Sequence, residues 1–341
     1  MSYEDLKTTA KALVPPAKGI LACDESVHST ARRFKIYDIP HTPENRAAYR
    51  DMMFTTPDLN QFISGVILYK ETLEQSTLAG EPFPTYLQDL GIIPGIKVDE
   101  GYDPIPGSTD ETISRGLDGL RERLTKYYEL GARFAKWRAV IRIGDGLPTD
   151  FAIEGNAHAL ARYAAYCQEA NIVPIVEPDV LLAGDHSLDR CEEVSSRMLN
   201  ETFNQLDKHG VLLEGILLKP NMVMAGKDCP NQPSVEEVAE ATIRTLKRYV
   251  PSAVPGIVFL SGGQGATPAT AHLAAMNKDA SHPWEVSFSY LRALADPAYA
   301  VWQGKLENKE EAQKVFYNRA KLLSAARTGT YTKDMEKELA A

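Results

Sequence analysis

Short apolar runs in this 341-residue sequence carry, or end in, side chains able to do chemistry. Asp24 follows the run 19–23, Lys97 lies in 95–98, and Lys136 and Arg138 lie in 134–140. Glu177 and Asp179 follow 173–176, Lys219 follows 214–218, Ser261-Gly262-Gly263 follows 256–260, and Arg292 follows 286–290. Residues two apart on a strand point to the same side, which puts Lys136 with Arg138 and Glu177 with Asp179. A lysine crowded by other cations and partly desolvated becomes a better amine nucleophile, and neighbouring carboxylates supply proton transfer, so the set favours covalent or acid/base catalysis. Lys219, after an apolar run and before Pro220-Asn221, is the most enclosed of the three lysines and is taken as the nucleophile.

A second group of residues suits an anion. In Ser261-Gly262-Gly263-Gln264-Gly265 the glycines let backbone N–H groups approach a phosphate, and Arg292 adds a planar fork of donors. A phosphorylated substrate follows. Ser26, Ser29, Arg32 and Arg33, after the first run, mix hydroxyls with guanidinium groups. They read either as a second phosphate site or as a solvated helix face.

The elements that must position these side chains alternate regularly. Eight short runs bounded by Gly or Pro, at about 19–23, 65–69, 95–98, 134–140, 173–176, 214–218, 256–260 and 286–290, are separated by stretches with helical spacing. Helices are expected over 118–130, 156–170, 188–209, 234–250 and 268–277, with Thr267-Pro268 as one start and Ser234 to Glu237 as a capping box. Strand then helix, eight times, is the pattern of an α/β protein of the (β/α)8 TIM-barrel class, whose active site lies at the C-terminal ends of the strands and which commonly binds phosphate at strands seven and eight. A doubly wound open sheet is the alternative, but Leu21-Ala22-Cys23-Asp24-Glu25-Ser26 lacks the glycine-rich turn it would want after its first strand. No linker or repeat splits the chain, so 1–341 reads as one barrel domain, with an N-terminal helical extension and a short mobile tail at about 328–341.

Composition sets limits. With 37 basic against 46 acidic residues the formal charge is −9, and with no basic tail the chain suits neither nucleic acid nor an anionic membrane. No run approaches the ~18 apolar residues of a membrane span. Glu4 and Asp5 stand where a leader would be apolar, which points to a cytoplasmic protein. The four cysteines are scattered without a Cys-x-x-Cys pair and read as reduced thiols; the seven histidines show no ligand spacing, so neither metal nor cofactor is expected.

Six blocks in order carry a resemblance over about 19–304: Gly19-Ile20-Leu21-Ala22-Cys23-Asp24-Glu25-Ser26, Gly95-Ile96-Lys97-Val98-Asp99, Phe134-Ala135-Lys136-Trp137-Arg138, Ile175-Val176-Glu177-Pro178, Leu217-Leu218-Lys219-Pro220-Asn221-Met222 and Phe259-Leu260-Ser261-Gly262-Gly263-Gln264. The chain resembles class I fructose-bisphosphate aldolase, the Schiff-base, metal-independent type. The resemblance implies that Lys219 forms the Schiff base and Glu177 acts as acid and base, with Asp24, Lys97 and Lys136 around the reacting carbons and Arg138 and Asp179 among the substrate contacts. It assigns Ser261, Gly262, Gly263, Ser289 and Arg292 to the C1 phosphate and Ser26, Ser29 and Arg33 to the C6 side. It also implies a small sugar-phosphate substrate and a homo-oligomer, commonly a tetramer.

The chain departs from the family pattern in places that bear on substrate preference more than on reaction type. Asp179 stands where well-known animal members carry Glu, Leu291 replaces a Gly beside Arg292, and His28 replaces a Gly between the C6-side serines. Familiar vertebrate forms end in a catalytic Tyr, whereas this chain ends Ala340-Ala341 and has Tyr331 as the only aromatic of its tail. Fructose 1,6-bisphosphate, fructose 1-phosphate and sedoheptulose 1,7-bisphosphate stay open as substrates. A sugar-phosphate binder that has lost turnover is the alternative outside enzymes.

Overall fold

Eight parallel strands close into a barrel in the computed structural model, which describes residues 3–278 and 281–338. The strands are β1 (Gly19–Cys23), β2 (Ile63–Leu68), β3 (Ile93–Lys97), β4 (Phe134–Ile141), β5 (Val173–Val180), β6 (Leu217–Leu218), β7 (Gly256–Phe259) and β8 (Glu285–Tyr290). Each pairs with its neighbours in chain order, and β1 closes the ring against β8. Their apolar runs are nearly continuous because both faces are covered. Alternate residues divide between two cores: Ile20, Ala22, Ile67, Phe134, Ile175 and Val258 fill the interior, while Leu21, Cys23, Val66 and Leu68 join the larger core under the helices. Gly95 lies in β3 because a Cβ there would collide with the Phe134 ring.

The N-terminal helix Tyr3–Ala12 seals the bottom of the barrel. Its Leu6 and Ala10, with Leu13 and Val14 just beyond, belong to the interior cluster, and Ser64 Oγ on β2 donates to the carbonyl of Leu13 at 2.6 Å. Access to the interior is thereby left to the opposite, C-terminal end of the strands, where the charged residues sit.

Several boundaries differ from the expectation. The sixth strand is shorter than 214–218: Leu213–Gly215 forms a 3-10 turn, and only Leu217 and Leu218 are regular strand. The ladder still reaches the site, since Lys219 N–H donates to the Val176 carbonyl at 2.7 Å. The helix expected from 156 runs over Asp150–Glu169, with Thr149 accepting a hydrogen bond from Ala152 N–H. Gly155, which breaks the helical pattern in the sequence, is tolerated because Ile113 packs where its side chain would be. The helix expected from 268 is Ala266–Asn277, capped by Gly265, so Pro268 is its third residue and Thr267 is no cap. The Ser234 to Glu237 capping box forms as expected on the helix Val235–Tyr249. No helix among the described residues is long and apolar enough to cross a membrane.

Candidate active site

The strand ends surround one cavity of about 1240 Å³, and the residues singled out above for catalysis or binding line it, except Gln264 and Gly265 of the glycine-rich motif. Barrel register explains the convergence. Lys97 pairs across the sheet with Lys136, Arg138 with Glu177, and Val140 with Asp179, so side chains from β3, β4 and β5 are stacked in rows at the mouth.

At the centre are two lysines and two carboxylates, each almost wholly buried except Asp24, which is slightly more open. Lys136 Nζ lies 2.7 Å from Asp24 Oδ2 and 3.2 Å from Glu177 Oε2. Lys219 Nζ lies 3.4 Å from Glu177 Oε1. Burial opposes the charged form of both lysines, but the outcome differs. For Lys136, desolvation is outweighed by Asp24, Glu177 and Asp99, and its proton is held well above the usual lysine range. For Lys219, desolvation and the charge of Lys136 outweigh Glu177 and Asp24, and its pKa is lowered. The same cations act in the opposite sense on the acids. Burial would raise Asp24, yet Lys136, Lys219 and Lys97 bring it down to about 2, and Glu177 is likewise lowered against burial by Lys136, Lys219 and Arg138. The amine that gives up its proton most readily is therefore next to an ionised carboxylate able to accept one.

On β7 and β8 the chain is arranged for an anion. Gly262 and Gly263 have φ of 60° and 94°, the left-handed region that glycine occupies without strain. The loop feeds directly into the N-terminus of the helix Ala266–Asn277, whose positive dipole end favours a phosphate. Arg292 opens the helix Arg292–Trp302 and reaches back over the loop, 3.6 Å from where a side chain on Gly263 would begin. Ser289 Oγ is buried without a hydrogen-bond partner among the described residues, which leaves it available to an anion. Behind the loop, Gln264 Oε1 meets His272 Nδ1 at 2.7 Å, and burial lowers that histidine's pKa to about 4, so the brace is a neutral one. Leu291, beside Arg292, has φ −117°, so the backbone there needs no glycine.

Across the mouth, Ser26 caps the helix Val27–Ile36, accepting from Ser29 N–H at 3.2 Å and donating to Ser29 Oγ at 3.1 Å. Arg33, on the same helix, is engaged by Glu25 at 2.7 Å and by Asp296. Other site residues also pair with near neighbours: Arg138 Nε donates to Asp179 at 2.8 Å, and Lys97 Nζ donates to the Asp99 carbonyl at 2.6 Å and lies at ion-pair distance from its carboxylate. Asp99, Glu25 and Asp296 were not singled out from the sequence. Their signals are present but weak: Asp99 is two residues from Lys97 on the strand line, Glu25 adjoins Asp24, and Asp296 is one helical turn from Arg292. In the tail, Tyr331 Oη donates to Glu336 at 3.1 Å, and Glu336 pairs with Arg319 of the helix Lys309–Arg327, away from the cavity. Among the described residues no group of three or more His, Cys, Asp or Glu side chains is placed to hold a metal.

Comparison with known proteins agrees with this geometry. Residues 5–341 match the family model for class I fructose-bisphosphate aldolase, described as glycolytic. A probable fructose-bisphosphate aldolase class 1 of Xanthomonas campestris pv. campestris is 52% identical, covering 97% of this chain and 99% of that protein. A fructose-bisphosphate aldolase of Dictyostelium discoideum is 50% identical over 96% of this chain and 93% of its own length. Among solved structures, fructose-bisphosphate aldolase from Plasmodium falciparum, in complex with TRAP and a small-molecule inhibitor, superimposes with a TM-score of 0.95 at 48% identity, covering 96% of this chain and 95% of that one. A closed (β/α)8 barrel, a buried lysine beside an ionised glutamate, and similarity of this extent place the chain in the class I fructose-bisphosphate aldolase family.

Proposed function

We propose that the enzyme cleaves fructose 1,6-bisphosphate reversibly into dihydroxyacetone phosphate and glyceraldehyde 3-phosphate through a Schiff base on Lys219, serving glycolysis and gluconeogenesis in the cytoplasm. The observation that carries the mechanism is the contrast between two lysines sharing Glu177. Lys136 is held protonated by two carboxylates, whereas Lys219 has a lowered pKa and so more of the free amine.

In this reading the Lys219 amine adds to the C2 ketone, and Glu177 moves the protons that let the carbinolamine lose water. The resulting iminium is an electron sink. When Glu177 takes the C4 hydroxyl proton, the C3–C4 electron pair flows to the iminium nitrogen, the aldehyde leaves, and an enamine remains instead of a free carbanion. Protonation at C3 and addition of water then release dihydroxyacetone phosphate and return the amine. Asp24, ionised down to low pH, orients the C4 hydroxyl, and Lys136 keeps both acids charged. Ser261, Gly262, Gly263, Ser289 and Arg292 take the C1 phosphate; Ser26, Ser29 and Arg33 take the C6 side; Lys97, Arg138 and Asp179 contact the chain between. A homotetramer is the assembly this family reading brings with it.

Borohydride in the presence of dihydroxyacetone phosphate should inactivate the enzyme irreversibly and leave the reduced adduct on Lys219, because an iminium is reducible and a merely bound ketone is not. Activity should survive excess EDTA. Adduct found only on Lys97 or Lys136, or activity lost to chelator and restored by a divalent ion, would overturn the mechanism.

A further inference from the structure

Arg33 stands beside Ser26 and Ser29 at the rim of the cavity, yet two of its nitrogens are already engaged by carboxylates: Nε by Glu25 at 2.7 Å and Nη1 by Asp296. The two acids are held differently. Glu25 is part of a rigid cradle, since its side chain accepts from Tyr49 Oη and its carbonyl from Arg50 Nη2, both at 3.2 Å. The Arg33 guanidinium also sits over the Tyr299 ring, 5.5 Å from its centre. Arg33 is therefore fixed without Asp296. Asp296 comes from the far end of the chain, one turn beyond Arg292 on the same helix, with its side chain 37% exposed and Arg33 as its hydrogen-bond partner. Burial, with the nearby charge of Glu25, outweighs the pull of Arg33 and Arg292 and raises its pKa, so Arg33 holds this carboxylate less firmly than it holds Glu25 by geometry.

We infer that Asp296 is a specificity-determining residue: its carboxylate occupies Arg33 Nη1 and offsets the positive charge of that guanidinium, which weakens capture of a second, distal phosphate relative to a sugar carrying only the C1 phosphate. The inference rests on the aldolase reading, with Arg33 on the C6 side. A distal phosphate must displace the Asp296 carboxylate or share the guanidinium with it, and like charges crowded on one cation repel. A monophosphate meets no such competition.

The test compares Asp296→Asn and Asp296→Ala with the wild-type enzyme, using KM for fructose 1,6-bisphosphate and for fructose 1-phosphate. Binding of hexitol 1,6-bisphosphate, which has no ketone and forms no iminium, is measured alongside. The ratio of the monophosphate KM to the bisphosphate KM should rise about three- to tenfold in both variants, and hexitol bisphosphate should bind more tightly by a similar factor. In an Arg33→Ala background, Asp296→Asn should lose most of this effect. A ratio that falls in the alanine variant would mean that Asp296 orients Arg33, and a ratio and hexitol affinity within twofold of wild type would mean that it does not act on the distal phosphate; either overturns the inference. Failure of the aldolase reading is separate, because it abolishes cleavage of both sugars while hexitol bisphosphate binding still reports on Asp296.

Discussion

Among single residues, the decisive contrast is between groups that share partners. Glu177 touches both lysines, at 3.2 Å and 3.4 Å, and is the one carboxylate within salt-bridge distance of Lys219 among the described residues. Glu177→Gln keeps the shape and loses the base, so kcat should fall by roughly 10²–10⁴ while KM moves much less. Steady-state kinetics with kcat near wild type would transfer the role to another acid, Asp179 first. Arg292 is a test of binding. Unlike Arg33 it has no salt bridge among the described residues, and burial and Arg33 lower its pKa. Arg292→Ala should weaken dihydroxyacetone phosphate by about 1.5–3 kcal/mol, the worth of a charge-assisted contact. Calorimetry showing unchanged affinity would remove Arg292 from the phosphate site.

At the level of elements, the barrel separates what closes its bottom from what approaches its top. The helix Tyr3–Ala12 is bound into the interior core through Leu6 and Ala10, so it is part of the fold. The tail is attached differently, through Tyr331 to Glu336 and Glu336 to Arg319. Arg319 keeps Thr270 Oγ1 at 2.7 Å and the Ala266 carbonyl at 3.2 Å without the tail, and these lie on the helix that follows the glycine loop. In the proposed mechanism cleavage needs an iminium and a base, and Lys219 and Glu177 at the strand ends would supply both. Deleting everything after Arg327 should therefore leave borohydride trapping at Lys219 intact and lower steady-state turnover by at most about tenfold, ~1.4 kcal/mol in barrier. A folded truncation losing several orders of magnitude, matched by Tyr331→Phe alone, would give Tyr331 a direct part in protonating the enamine.

For the molecule as a whole, the charged centre couples chemistry to stability. Asp24 has a folded-state pKa of about 2, against 3.8 for the free side chain. The unfolded chain therefore binds this proton first as pH falls, so the contribution of Asp24 is present above about pH 4 and is lost between about pH 4 and 2. Urea midpoints measured across that window should fall with pH in the wild-type protein and fall less steeply in Asp24→Asn. Parallel curves would show that Asp24 does not carry the acid sensitivity. Lys136 works at the other limit: its folded-state pKa is raised, so its contribution is full below the usual lysine range and is lost only at strongly alkaline pH.

Local pattern by itself determined the eight-fold alternation, the chain order of the strands and the residues at their C-terminal ends, because burial on both faces demands continuous apolar runs and their polar ends must face the mouth. It also determined the glycine loop at 261–265, where Gly262 and Gly263 adopt the positive φ that glycine takes without strain. Tertiary closure alone decided which charges meet. Lys136 meets Asp24 across the barrel, and Arg33 meets Asp296 across 263 residues of chain. Those meetings hold one lysine protonated, lower the pKa of the other, and engage an arginine expected to be open to phosphate. Periodicity reports which side of an element is buried, whereas a pKa depends on distances between elements that only the closed barrel sets. The short β6 and the helix that continues through Gly155 have the same origin: neighbouring strands and Ile113 supply what the local sequence lacks.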